Sequence, residues 1–291
     1  MKKAIMMFFL ALCITASSGG INMLNMNFSA PALGSGSVCS VDYGDYSSIL
    51  TNPSLLSVSG WNFAKISFYK YLMDMNYGAV SAGLYIPKFG NIAFTYGLGN
   101  YGYQESRDAE GNTGDDFYSG EHLFAVTMSD MIVKSVYAGV NIKYLYSTIG
   151  EYSSDSIYLD FGMAFRLKKF FAGFYVKNWG TRVEYIDLGD FTAIDAGIGA
   201  SYSFSITDKL NLKAMMDLNQ SGGESVINAG IELSLGKAFG LRFGSSDLGN
   251  DFSRKIGAGV SVLLKNIMID ISYSVQGDIP ATYAAGMSYV W

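Results

Sequence analysis

His122 is the only histidine in a chain of 291 residues, and Cys13 and Cys39 are the only cysteines. A Ser-His-Asp triad or a multi-histidine metal site needs imidazoles that this sequence does not supply. The loop Gly111-Asn112-Thr113-Gly114-Asp115-Asp116 is dense in oxygen donors but lacks the ligand spacing of a calcium hand, so it reads as a solvated acidic loop. Glycine pairs such as Gly97-Leu98-Gly99 fall within an alternating pattern and do not form a phosphate cradle. A formal net charge of −5 argues against a nucleic-acid partner. The residue types therefore point away from an enzyme, and no cofactor or metal is expected.

The charges that remain fall at regular places. Lys143, Asp160, Arg166, Asp195, Lys213, Asp217, Glu232, Arg242, Lys255 and Asp270 all sit on the small or polar side of segments that alternate with a period of two. In 196–204, Ala196, Ile198, Ala200, Tyr202 and Phe204 share one face, and Gly197, Gly199, Ser201 and Ser203 the other. Likewise Ala138, Val140, Ile142 and Tyr144 oppose Gly139, Asn141 and Lys143, while Ile267, Ile269, Ile271 and Tyr273 oppose Asp270. A soluble core does not turn so many glycines inward. A closed sheet with lipid outside and a polar lumen does. The ten charges would then face the lumen, paired with one another and with whatever fills it, or lining a watery route. With both signs about equally represented, no ion preference follows.

Fourteen such segments run from Asn62 to Trp291: 62–72, 76–86, 91–101, 120–129, 133–146, 156–167, 169–178, 191–205, 209–219, 225–235, 238–245, 252–264, 266–276 and 281–291. The expected fold is all-β, a 14-stranded antiparallel transmembrane barrel. Connections after even strands are brief, among them Ser129 to Ile132, Lys168 and Lys265. Those after odd strands, such as 102–119, 147–155, 179–190, 220–224 and 277–280, read as longer loops. Lysines gather at the brief turns and carboxylates at the longer loops, a sorting by parity that a soluble meander has no reason to make. Only 15% of residues are charged against about 25% in soluble domains, and Tyr (21) and Phe (19) suit a lipid-facing wall with aromatic girdles. Apart from the N-terminus no apolar run approaches the length of a spanning helix.

Three zones follow. Residues 1–18 read as a cleaved export signal, with Lys2 and Lys3 before the apolar stretch Ala4 to Ile14 and small residues after it. Residues 19–60 form a Ser/Gly/Asn-rich segment, and 61–291 the barrel. Cys39, left alone after cleavage, can form no internal disulfide. The implied location is the bacterial outer membrane, with its lipid as one partner and the barrel-assembly machinery, through the final strand ending at Trp291, as another.

Within 19–60, Ala30-Pro31-Ala32-Leu33-Gly34-Ser35-Gly36-Ser37-Val38 and the later Asp45 to Leu56, containing Asn52-Pro53-Ser54-Leu55, resemble the opening of the PorV/PorQ family, whose members look like the FadL fatty-acid channel. The family pattern is Leu-Gly-x-Gly followed by Asn-Pro-Ala-x-Leu; here Ser54 stands in place of the usual Ala. The resemblance implies that the segment folds into the barrel as a plug, or hatch, with Leu33, Gly34, Gly36, Asn52, Pro53 and Leu55 as its signature. It also implies a function, uptake of small hydrophobic compounds such as fatty acids past a gating hatch. An alternative within the same likeness is an accessory that shuttles secreted-protein cargo in type IX secretion, with Trp179, Tyr185 and Ile186 as candidate anchors on the outer loops. A structural outer-membrane barrel is the third reading.

Overall fold

The computed structural model describes residues 23–26, 28–60, 62–71, 75–107, 110–185, 189–236, 238–250 and 254–291; residues 1–18, expected to be an export signal, lie outside them. The strands are β1 (Phe63–Lys70), β2 (Asn76–Ile86), β3 (Gly90–Gln104), β4 (Phe117–Val133), β5 (Val136–Ile149), β6 (Tyr152–Leu167) and β7 (Phe170–Gly180). A small hairpin follows, β8 (Arg182–Glu184) with β9 (Gly189–Phe191). Then come β10 (Asp195–Ser205), β11 (Leu210–Ser221), β12 (Glu224–Leu235), β13 (Phe239–Ser246), β14 (Lys255–Leu264), β15 (Ile267–Gln276) and β16 (Ile279–Val290). Without the hairpin, fourteen antiparallel strands form a closed barrel in which β16 returns to pair with β1, from Phe63↔Val290 to Lys70↔Tyr283. Closure leaves no strand edge, which a wall surrounded by lipid requires. No helix among the described residues is long and apolar enough to cross a membrane.

The period of two decides which face each side chain takes. On β1, Phe63, Lys65, Ser67 and Tyr69 are buried inside, and Ile66 and Phe68 are exposed outside. On β15, Asp270, Ser272 and Ser274 are inside, and Ile267, Ile269, Ile271 and Tyr273 outside. Most of the large exposed side chains are apolar and lie on this outer face, the reverse of a soluble protein. At the chain's end Trp291 stacks on Tyr289 with ring centroids 5.6 Å apart.

Several connections differ from the sequence reading. Ser129 to Ile132 is not a turn: β4 runs through it, and the reversal comes at Lys134-Ser135, with Ser135 at φ 69°. The consecutive apolar residues Met131, Ile132 and Val133 hide the alternation there, and the ladder shifts register between Met131 and Val133. At the opposite end, 147–155 holds only the two-residue turn Gly150-Glu151, because β5 and β6 keep pairing through Ser147↔Ser154 and Ile149↔Tyr152. The loops expected at 220–224 and 277–280 likewise shrink to 222–223 and 277–278. Beyond the lipid both faces of a hairpin are solvated, so alternation fades while the hydrogen-bond ladder continues. The long connections at that end are 105–116, 181–194 and 247–254.

The core lies inside the barrel. Residues 23–60 enter the lumen and fold into three short helical turns, α1 (Ala30–Gly34), a 3-10 turn (Ser48–Leu50) and α2 (Leu55–Ser59). Gly60, at φ 68°, ends α2 by donating its N–H to the Leu56 carbonyl and delivers the chain to β1 at the short-turn end. Nearly every described residue of this plug from Phe28 to Leu56 is buried.

Candidate functional site

The plug's two signature motifs rest on wall glycines. The α1 turn is capped by Ser29, whose Oγ accepts the Ala32 N–H at 2.8 Å, with Pro31 in the first turn where no donor is needed. Its backbone then runs from Leu33 to Gly36 across four inward glycines of β12, β13 and β14. A Cβ at Gly257 would strike the Leu33 carbonyl, one at Gly259 would come within 3.3 Å of Gly34 Cα, and one at Gly230 or Gly244 would strike Ser35. Gly36 sits at φ 72° against Gly244 and Ser245, where neither a side chain nor an L-residue's preferred backbone fits.

Asn52 and Pro53 take the second seat. The Asn52 Nδ2 donates to the Ser40 carbonyl at 2.9 Å, and its Oδ1 accepts from Ser54 N–H and Oγ at 3.2 and 2.7 Å, so one side chain fixes both ends of the turn. Beneath it lie Gly139 of β5, Gly162 of β6 and Gly173 of β7, each of which would meet Asn52, Pro53 or Ser40 if it carried a Cβ. Leu55, fully buried, packs with Val38, Val41, Ala164, Phe171 and Met215. Many of the inward glycines are therefore docking surface: backbone lies on backbone.

The inward charges find partners in the wall and the plug. Lys143 pairs with Asp160, which also accepts from Asn141 Nδ2 at 2.8 Å and the Asn178 N–H at 2.9 Å. Asp195 pairs with Lys177 at 3.0 Å, and Arg242 spans Glu232 at 3.2 Å and Asp270 at 3.5 Å. Two more reach the plug: Lys213 meets Asp42 at 3.2 Å, and Asp217 accepts the N–H groups of Cys39 and Ser40 at 2.9 and 3.2 Å. Among the described residues, Arg166 and Lys255 make neither an ion pair nor a hydrogen bond to the plug. Arg166 is exposed at the short-turn end with its guanidinium 4.9 Å above the Tyr43 ring, and the Lys255 ammonium lies 5.6 Å from the Tyr71 ring.

Among the described residues, three inward charges escaped the sequence reading. Lys65 of β1 pairs with Asp45 of the plug, both nearly fully buried. Burial alone would raise the Asp45 carboxyl, but the Lys65 charge and hydrogen bond, with donors from Ser29 and Ser47, hold it below its ordinary 3.8. Aromatics on both faces of β1 mask its period. Lys177 lies beside a bulge where the β6–β7 ladder slips between Leu159 and Phe161, so Lys177 and Asn178 both turn inward, Asn178 at φ 66°. Glu121 lies near the start of β4, where Ser119, Gly120 and Glu121 are buried in succession and a clean alternation is lost.

Glu121 belongs to the long-loop half of the lumen, where the contents change. Met23, Leu24 and Phe28 pack there against Tyr69, Tyr77, Leu123, Leu145 and Tyr158. Rings meet edge-on, Phe28 to Tyr77 at 6.2 Å and Tyr77 to Tyr101 at 5.7 Å. The Met23 side chain fills a dent over Gly97 and Gly99. Wall side chains hold the polar groups of this segment: Glu121 Oε2 accepts the Met23 N–H at 2.7 Å, and Lys177 Nζ donates to the Leu24 carbonyl at 3.2 Å. Asn178 Nδ2 donates to Asn25 Oδ1 at 3.2 Å.

His122 takes part in none of this. It lies between outward Tyr96 and Tyr146, its Nδ1 2.8 Å from the Tyr96 hydroxyl, as part of an external aromatic band rather than as a purely solvated side chain. Among the described residues no group of three or more His, Cys, Asp or Glu could hold a metal ion. Of the candidate loop anchors, Trp179 pairs with Leu159 in the ladder and lies 6.3 Å from Phe161 on the outer wall, while Tyr185 turns in to donate to Ser147 Oγ at 2.6 Å. Ile186 lies outside the described residues.

No protein-family model matches the chain, and no curated protein sequence matches it significantly. Solved structures do. The toluene transporter TbuX of Ralstonia pickettii aligns over 92% of this chain and 99% of its own, with a TM-score of 0.64 at 12% identity. The toluene transporter TodX of Pseudomonas putida aligns over 90% and 97%, with a TM-score of 0.63 at 10% identity. A FadL homologue from Pseudomonas aeruginosa aligns over 90% and 98%, at 0.54 and 10%. At such identities the likeness is one of fold: the chain has a FadL-type barrel, an architecture it shares with bacterial outer-membrane proteins.

Proposed function

We propose that this protein is an outer-membrane channel that takes up small hydrophobic compounds, with residues 23–60 as its gate. The observation that carries the reading is the composition of the long-loop half of the lumen. A pore for ions or sugars would keep water and charge along its wall, whereas this half is packed with Phe28, Tyr69, Tyr77, Leu123, Leu145 and Tyr158. Below it the plug sits on the wall by backbone contact, so a solute reaches the other side only if part of the plug shifts or the wall lets it out. The structural neighbours named as toluene transporters support the same reading. An export signal at 1–18 and assembly through the strand that ends near Trp291 complete the proposed route to the membrane. The two motifs that occupy the glycine seats support placing the chain in the PorV/PorQ branch of such barrels.

The test is uptake of labelled toluene or a labelled long-chain acid by liposomes carrying the purified chain. Uptake above protein-free vesicles, altered by deletion of residues 23–60, is the expected result. Uptake equal to empty vesicles for both probes overturns the proposal.

A further inference from the structure

Glu121 is a carboxylate in an apolar setting, with no cation paired to it among the described residues. It is 5% exposed, and it lies one register step from Leu123 and next to Tyr101. Its surroundings consist of donors: the Met23 N–H at 2.7 Å and the Tyr101 hydroxyl at 2.6 Å on Oε2, and the Ser147 hydroxyl at 3.3 Å on Oε1. Three donors on two oxygens suit the ionised form, which only accepts.

Two of these donors, Tyr101 and Ser147, belong to the wall and stay. The third belongs to the chain segment that fills the space. Met23 is an unbranched, adaptable side chain resting in the dent over Gly97 and Gly99, and those glycines meet its side chain rather than main chain, unlike the glycine seats under Leu33 to Gly36. A ligand that enters this half of the lumen takes the place of Met23 and Leu24, and it must do two things at once. It must fill an aromatic space, and it must return a hydrogen-bond donor to Glu121 Oε2, which otherwise keeps only Tyr101, since one lost hydrogen bond to a charged group costs roughly 1.5–3 kcal/mol, or about tenfold or more in affinity.

We infer that Glu121 is a specificity residue: the chamber selects compact hydrophobic molecules that carry a hydrogen-bond donor, an alcohol, phenol or ammonium, and rejects those that end in a carboxylate. The inference rests on the channel reading above and narrows its substrate class. A carboxylate ligand would bring a second negative charge to a site from which water is excluded, where like charges repel strongly. The cation that also touches this segment, Lys177, is already held by Asp195 at 3.0 Å and so is not free to compensate.

The test is binding of four probes that share one ring, benzyl alcohol, benzylammonium, toluene and benzoate, to the full chain in amphipol. For the native protein, benzyl alcohol and benzylammonium should bind about tenfold or more tighter than benzoate, with toluene between them. In Glu121→Gln, checked for a folded barrel by heat-modifiable migration, the gap between benzyl alcohol and benzoate should close to within about threefold. If toluene binds but the native protein holds benzoate as tightly as benzyl alcohol, Glu121 does not select and the inference is overturned, with the channel reading intact. If no probe binds, not even toluene, the channel reading fails and takes the inference with it. The native series decides even if the variant does not fold.

Discussion

At Leu33 to Gly36, at Ser40 and at Pro53-Ser54 the plug lies on the wall through main chain, set against glycines that leave no room for a methyl group. From Met23 to Phe28 the same plug touches the wall through side chains, a methionine, aromatic rings and single hydrogen bonds from Glu121, Lys177 and Asn178. The first contact is geometric and admits almost no alternatives. The second can be taken apart and remade, because rotamers change at small cost whereas a backbone on a glycine row has one register. A plug built this way has a fixed base at the short-turn end and an exchangeable filling at the long-loop end. The following outcomes break or sharpen that contrast.

The largest effect belongs to the base. Lys65 and Asp45 are both buried, so removing one leaves the other charged and unpaired. Lys65→Ala should destabilise the seated plug by about 3–5 kcal/mol, read as protease cleavage within 38–56 and as a lower unfolding midpoint in urea. The double variant Lys65→Met/Asp45→Leu should recover most of that loss, since well-packed apolar residues replace a buried pair at little net cost. The pH dependence has a definite sign. A carboxyl held below its ordinary 3.8 in the folded protein adds stability at higher pH that is lost as pH falls through the lowered value. The plug of the native protein should therefore loosen only in strong acid, and Asp45→Asn should remove that acid transition.

Next comes the wall itself. Ile142 and Asn141 are adjacent on β5, one exposed to the outside and one buried inside. Ile142→Lys should cost about 2–4 kcal/mol if the membrane midplane meets it, measured by folding into vesicles. Spin labels at Ile142 and Ile269 should report hydrocarbon, and labels at Asn141 and Asp270 a protected interior. Water contact at Ile142 would remove the basis for every inside and outside assignment.

The barrel was legible in the sequence because its signal is redundant. Each strand repeats the same rule, and Ala196 to Phe204 states it without an error. Legibility fails where a second demand is placed on the same residues. β4 carries Met131, Ile132 and Val133 in succession near its turn, and Ser129-Asp130 imitates a reversal that the chain makes only at Lys134-Ser135. β7 bulges to turn both Lys177 and Asn178 inward, which no fixed period can foretell. Alternation states that Gly139, Gly162 and Gly173 face the lumen. It does not state that Asn52 and Pro53 lie on them, because plug and wall are far apart in the chain and no local pattern links them. For the same reason the charge on β11 could be placed inside, but its partners, the backbone at Cys39 for Asp217 and Asp42 for Lys213, could not be named.

A smaller effect separates the two kinds of contact directly. Gly162→Ala adds one methyl group where Asn52 Oδ1 and Pro53 already stand. Overpacking of this kind costs about 1–3 kcal/mol, and because Asn52 Oδ1 is held by the Ser54 N–H and Oγ and Pro53 is a rigid ring, the plug has little room to sidestep it. The expected result is a barrel that still closes, shown by unchanged heat-modifiable migration, with faster amide exchange from Asn52 to Leu55. Unchanged exchange there would mean that the seat has slack and that the contrast with the long-loop end is one of degree only.

The smallest effect on stability should come from Met23→Ala, although it removes more atoms than Gly162→Ala adds. In a rigid core a truncation of this size leaves a cavity that costs about 2–5 kcal/mol. Met23 is 1% exposed, so burial alone would place it in that range. Its segment, however, is anchored through single hydrogen bonds, and the neighbouring side chains Leu24, Phe28 and Tyr101 can lean into the space that Met23 leaves. Relaxation of that kind takes back most of the cavity term, so the unfolding free energy measured in urea should fall by no more than about 1 kcal/mol, while amide exchange from Leu24 to Phe28 quickens. The same loosening lowers the cost of displacing the segment, so benzyl alcohol should bind more tightly to Met23→Ala than to the native protein. A loss of 2 kcal/mol or more, with weaker binding, would show that Met23 is as fixed as the glycine seats, and the exchangeable half of the plug would have to be sought elsewhere.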